Sequence, residues 1–205
     1  MTGGAAVFLD RDGVLNRALV RDGKAFAPRR LQDFRLLPGS AAAVATLRRA
    51  GFPTIVVTNQ PDIGNKLVDP AIVAAMNDRL RRRAPVDDIL VCPHGQTEGC
   101  SCRKPKPGLL RDAAARHGID LSISYMVGDR WSDVAAGRQA GCFTILIDRG
   151  YREGCPERPD AVVATLPAAV ALILARSLKS EEVRPVEESM RYRDETELAW
   201  SEPIG

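Results

Sequence analysis

The sequence predicts an α/β fold, a three-layer Rossmann-like sandwich built on a mostly parallel sheet. Three observations carry that expectation. Short apolar, β-branched runs alternate with Ala- and Leu-rich helical stretches along most of the chain. The run Thr54–Thr58 (TIVVT) shows no polar alternation, as expected of a strand covered on both faces. Several runs end in turns rich in Asp and Gly, the place where open α/β sheets gather ligand-binding residues.

The elements follow in order. Ala5–Leu9 reads as a strand that stops at Asp10-Arg11-Asp12-Gly13. Residues from Asn16 to Leu37 are charged and irregular, and predict a flap or long loop. A helix over Ala41–Ala50 has Ser40 near its N-cap and Gly51 at its end. After the Thr54–Thr58 strand, Asp69-Pro70 opens a helix across Ala71–Arg83, with proline suited to the first turn. Asp88–Val91 is a short strand leading to a Cys/His cluster. Pro107-Gly108 then opens a helix over Leu109–His117 that Gly118 ends. Strands at Ser124–Val127 and Cys142–Ile147 flank a helix at Asp133–Ala140. Ala161–Ala164 and Pro167–Leu178 complete the series as a last strand and helix. Residues 1–179 are expected to form one domain, interrupted by a loop at 92–102. Residues 180–205 form an acidic tail.

Charge and composition exclude several classes. The 205 residues carry a net +3, too mild to predict nucleic-acid binding. The tail holds eight acids against three Arg, a net −5, which leaves +8 on residues 1–179; a basic body is either soluble surface or a match for an anionic substrate, and the imbalance alone decides nothing. No apolar run approaches a membrane span, and Met1–Ala6 lacks a basic leader region, so a cytoplasmic location is expected. A monomer is expected, with Trp200 in the tail as the candidate anchor for contact with a partner.

Two acidic turns stand out. Asp10 and Asp12 follow the first strand; Asp129 and Asp133 follow a later one. In a parallel sheet both pairs arrive at the same edge, where they repel unless a cation joins them. Hard oxygen ligands in this number suit Mg²⁺. One carboxylate can serve as a nucleophile and a second as an acid/base, whereas a single such turn alone would be read as a polar bend. Thr58 ends a third strand, and Lys104 adds a cation able to hold a phosphoryl oxygen. That set fits phosphoryl transfer.

Cys92, His94, Cys100 and Cys102 supply three thiolates and one imidazole within eleven residues, a complete tetrahedral set for structural Zn²⁺. A disulfide beside a free thiol, or three unrelated cysteines, are the competing readings.

Asp10-Arg11-Asp12-Gly13-Val14-Leu15-Asn16 resembles the first motif of the haloacid dehalogenase-like superfamily. Thr58-Asn59-Gln60 resembles its second motif, Lys104 its third, and Gly128-Asp129-Arg130-Trp131-Ser132-Asp133 its fourth. The resemblance spans roughly residues 5–175. It implies that Asp10 attacks phosphorus to form an aspartyl-phosphate, while Asp12 protonates the leaving oxygen and then activates water. It implies that Thr58 and Lys104 hold the phosphoryl group. Mg²⁺ would sit on Asp10, the backbone carbonyl of Asp12 and Asp129, with Asp133 behind the metal site or Lys104. Arg11, Asn59, Gln60, Arg103 and Lys66 are expected to contact substrate. The Cys/His loop running into Arg103-Lys104-Pro105 is similar to two phosphatase families of this superfamily, those acting on D-glycero-D-manno-heptose 1,7-bisphosphate and on histidinol phosphate. Phe34–Gly39 and Arg103–Leu109 resemble the first, and the heptose bisphosphate is the expected substrate. The five-residue spacing between His94 and Cys100 resembles the second. Asn65 and Lys66 stand where the heptose family has Arg and Gly, and Lys66 is expected to restore the cation one position on.

Overall fold

The computed structural model describes residues 3–154 and 158–182. The acidic tail beyond Glu182, including Trp200, lies outside the described residues. The compact unit extends to Leu174. Among the described residues, no helix is long and apolar enough to cross a membrane.

Six parallel strands form the sheet: β1 (Val7–Leu9), β4 (Thr54–Asn59), β5 (Asp88–Cys92), β6 (Tyr125–Gly128), β7 (Phe143–Ile147) and β8 (Ala161–Val163). Their order is β5-β4-β1-β6-β7-β8. The chain therefore starts in the middle, builds outward to β5, and returns past β1 to build the other side. That reversal puts the carboxyl end of β1 at the switch point of the sheet. Leu9 lies opposite Val56 on one side and Val127 on the other, so Asp10, Thr58 and Asp129 all emerge at one edge.

Alternation along the strands fills both faces. Val7, Leu9 and Val56 point to one core with α1 (Ser40–Arg49), α3 (Pro70–Arg83) and the first two turns of α6 (Leu166–Glu182). Phe8, Ile55 and Val57 point to the other with α4 (Gly108–His117) and α5 (Trp131–Ala140). A strand buried on both sides reads as a continuous apolar run, which is the pattern in Thr54–Thr58.

The structure refines several sequence expectations. The flap contains a small antiparallel hairpin, β2 (Leu19–Arg21) with β3 (Lys24–Phe26), turned at Asp22-Gly23. Ser40 does not cap α1; Gly39 holds that position, and the Ser40 hydroxyl donates to the Leu37 carbonyl. A short helix, α2 (Pro61–Gly64), follows β4. Asp69 caps α3 by accepting from the Ala71 amide. Helix α5 begins two residues before the expected Asp133, because the Asp133 carboxylate folds back to accept from the Arg130 amide at 3.1 Å.

Candidate active site

Lys104 is the centre of the strand-end cluster. Its ammonium group donates to Asp10 Oδ1 at 2.6 Å, Asp133 Oδ1 at 2.6 Å and the Val57 carbonyl at 2.7 Å. All three donors of the ammonium are thus used, in a site where the lysine is only 3% exposed. Burial alone would lower its pKa, but the Asp10 and Asp133 carboxylates outweigh it and hold the lysine above its ordinary value. Burial pushes Asp10 up to about 6, with Lys104 opposing and Asp133 and Asp12 reinforcing the shift. Asp129 is also held well above the usual carboxylate range, by burial first and then by Asp10 and Asp133. An excess of buried negative charge remains, and it calls for another cation.

Ligand atoms of Asp10, Asp129 and Asp133 all lie within 4.8 Å of one another. Their oxygens are not equally available. Asp133 spends one on Lys104 and the other on the Arg130 amide. Asp129 accepts from the Tyr151 hydroxyl through Oδ2 at 2.9 Å, and its buried Oδ1 has no hydrogen-bond partner among the described residues. Two glycines make this crowding feasible. A Cβ on Gly128 would collide with Asp133, and one on Gly13, at φ +100°, would collide with the Asp129 carboxylate.

Asp12 is held by three neighbours. Arg11 Nη2 donates at 3.0 Å, Gln60 Nε2 at 2.7 Å and Asn16 Nδ2 at 2.8 Å. Arg11 is fully buried, donates also to Asn77 Oδ1 on α3 and lies over the Phe34 ring. Gln60 bridges Asp12 to the Thr58 hydroxyl.

A cavity of about 480 Å³ opens onto Asp10, Asp12 and Lys104. Its walls include Lys24, Phe26 and Arg29 from the hairpin side, Asn65 and Gln96, and Arg103. Arg130 and Glu153 meet as a two-point ion pair at its rim, at 2.8 and 2.9 Å. Arg103 Nη1 is buried and has no hydrogen-bond partner among the described residues.

The structure places the expected substrate-contact residues at different distances from this cavity. Arg11 and Gln60 do not line the cavity; their polar groups are turned onto Asp12. Successive residues at a strand end point to opposite sides, so neighbours of Asp10 need not face what it faces. Lys66 does not line the cavity either; it is exposed, at φ +57°, and Asn65 takes the wall position. Asn59 lines the cavity, but its amide is occupied by the Lys104 backbone, donating at 3.0 Å and accepting at 3.1 Å. Sequence reasoning missed Tyr151 and Glu153. Their position after β7, at the same sheet edge as the acidic turns, is the signal that would have found them.

The Cys/His loop brings its four residues together. The sulfurs of Cys92, Cys100 and Cys102 lie 3.2–3.7 Å apart, and His94 Nδ1 is 3.2 Å from Cys102 and 3.6 Å from Cys92. These separations are well beyond a disulfide bond, and the cysteines are free. They are close to the edges of a tetrahedron about an ion with bonds of roughly 2.3 Å to sulfur.

Comparison with known proteins agrees with this architecture. The HAD-hydrolase-like family model matches residues 101–169. The D-glycero-beta-D-manno-heptose-1,7-bisphosphate 7-phosphatase of Bordetella bronchiseptica is 40% identical over 149 residues, covering 70% of this chain and 80% of that protein. The D-glycero-alpha-D-manno-heptose-1,7-bisphosphate 7-phosphatase of Mycobacterium tuberculosis is 39% identical over 134 residues, covering 62% and 68%. The crystal structure of D,D-heptose 1,7-bisphosphate phosphatase from B. bronchiseptica, complexed with magnesium and phosphate, superposes with a TM-score of 0.74 at 35% identity, covering 84% of this chain and 99% of that one. Four motifs converging on one strand edge, together with relatives matched over most of their length, establish that the chain belongs to the heptose-1,7-bisphosphate 7-phosphatase family of the haloacid dehalogenase superfamily, whose members are phosphoric monoester hydrolases.

Proposed function

We propose that this chain removes the 7-phosphate of D-glycero-D-manno-heptose 1,7-bisphosphate. The observation that carries the choice of a bisphosphate is Arg103: a buried guanidinium nitrogen without a partner among the described residues, on the wall of the cavity that contains Asp10. A planar fork of N–H donors matches a second phosphate, and leaving it unpaired is costly. The names of the relatives support the same sugar.

In this reading residues 1–179 carry the activity. Asp10 attacks phosphorus; an Asp10 O–P bond forms as the ester P–O bond breaks, and Asp12 gives its proton to the departing sugar oxygen. Water then loses a proton to Asp12 and attacks phosphorus, which releases phosphate and restores Asp10. Arg11, Gln60 and Asn16 fix the Asp12 carboxyl. Lys104, held by Asp133 and the Val57 carbonyl, donates to Asp10 and offsets its charge, and the Thr58 hydroxyl, which accepts from Gln60, would donate its O–H to a phosphoryl oxygen. Mg²⁺ fits Asp10, the Asp12 backbone carbonyl and Asp129, since the Asp129 Oδ1 atom is buried and has no partner among the described residues. Bound there, it supplies neutralisation of phosphoryl and carboxylate charge. Zn²⁺ fits Cys92, His94, Cys100 and Cys102, a closed set with no position for water, so its role is structural.

The test is phosphate release with Mg²⁺ from both anomers of the heptose bisphosphate, histidinol phosphate and fructose 1,6-bisphosphate. A preference of about 100-fold in kcat/KM for a heptose bisphosphate, near 2.7 kcal/mol of discrimination, is expected. Arg103→Ala should cost the bisphosphate about 30-fold or more and heptose 7-phosphate no more than about 3-fold, the scale of a lost charged hydrogen bond. Equal losses on the two would remove Arg103 from second-phosphate binding, and with it the argument for a bisphosphate.

A further inference from the structure

The segment after β7, residues 148–153, is fastened on both sides of Tyr151. Arg149 Nε donates to the Gly13 carbonyl at 2.9 Å, in the turn after β1. The Arg152 amide donates to the Gly23 carbonyl at 2.8 Å, in the hairpin turn. Between these anchors stands Tyr151, whose hydroxyl donates to Asp129 Oδ2. Gly13 clears the space for this contact, since a Cβ there would stand 3.1 Å from the Tyr151 hydroxyl and collide with the carboxylate. The result is an asymmetric carboxylate, with one oxygen engaged by Tyr151 and the other buried without a partner among the described residues.

We propose that Tyr151 is a positioning residue that confines Asp129 to a single oxygen for the divalent cation and so favours Mg²⁺ over Ca²⁺. This rests on the metal reading given above. Mg²⁺ is small, requires near-octahedral geometry, and is bound through one or two carboxylates with short bonds. Ca²⁺ accepts more ligands at longer range and takes both oxygens of one carboxylate. A carboxylate free to turn can offer both oxygens. Asp129, with Oδ2 tied to a phenol on a doubly anchored segment, offers one.

The experiment uses the full chain, dialysed free of Mg²⁺, with dissociation constants for Mg²⁺ and for Ca²⁺ measured separately by calorimetry. In Tyr151→Phe, which keeps the ring, the ratio Kd(Ca)/Kd(Mg) should fall about tenfold, the effect of losing one hydrogen bond to a charged group. Mg²⁺ weakens while Ca²⁺ holds or tightens. Arg152→Ala removes a side chain packed against Gly23 without touching Asp129. It should leave the ratio within about twofold, well inside the span of such a bond. An unchanged ratio in Tyr151→Phe overturns the proposal and leaves the metal reading standing. An equal fall in Arg152→Ala overturns it too, because segment tightness rather than the hydroxyl would then be responsible. A parent protein that binds neither cation overturns the metal reading and this inference together.

Discussion

The acidic centre and the Cys/His cluster are built on opposite plans. In the first, Lys104 meets Asp10 across 94 residues, and Asp133 and Asp129 arrive from a different strand. Every partner is placed by the sheet, and the buried charges are balanced against each other. In the second, all four donor residues lie between Cys92 and Cys102 on one loop. A site assembled from distant strands exists only when the whole sheet exists, so altering one member changes chemistry before it changes the fold. A site confined to a loop can be lost by itself, and its loss is felt as stability.

The strongest way to break this contrast is Asp10→Asn. The amide keeps the shape and removes a buried charge, so the fold should persist, with a melting temperature equal to or above the parent's in the absence of Mg²⁺. The kcat/KM should fall by at least about 10⁴, as when other catalytic nucleophiles are removed. A variant that unfolds, or one that retains near-parental turnover, would undo the separation of chemistry from fold.

Cys100→Ser probes the other side. Metal analysis should show zinc lost from the variant. Removing about 2–4 kcal/mol should lower the melting temperature by roughly 5–15 °C for a domain of this size, with kcat/KM at low temperature changed less than tenfold. Unchanged melting and zinc content would show that the cluster holds no structural metal.

A surface pair gives the baseline for both. His117 Nε2 lies 2.9 Å from Asp88 Oδ2 on the protein exterior. Asp88 is partly buried, which alone would raise its pKa, but hydrogen bonds from His117 and the Ile89 amide hold it below its ordinary value. Its contribution is therefore present above the ordinary carboxylate range and is lost as pH falls through the lowered value. Solvent screening keeps it small. His117→Ala should cost less than about 0.5 kcal/mol at neutral pH, a difference that denaturant melts should see shrink on acidification.

The sheet and the acidic edge were legible because their signals are local. Unbroken β-branched runs announce a covered parallel sheet, and Asp-rich turns after them announce the ligand edge. What a side chain faces is not local. Arg11 stands between two site acids in the chain, yet its guanidinium is buried against Asn77 of α3. Lys66 is exposed, and its neighbour Asn65 lines the cavity. The hairpin leaves no sequence signal, because three-residue strands have almost no periodicity. Tyr151 meets Asp129 from 22 residues on, a pairing that no spacing rule announces.

Asn59 has a consequence beyond the cavity wall. It stands opposite Cys92 in the sheet register, where the Cys/His loop begins, and clasps the backbone of Lys104, where the loop ends. A single residue at the tip of β4 thus closes both ends of that excursion. With both ends tied, residues inserted or deleted between them are expected to leave the lysine in its place. Loop length becomes a variable that selection or engineering can adjust to reshape the cavity wall at Gln96 while leaving phosphoryl transfer untouched.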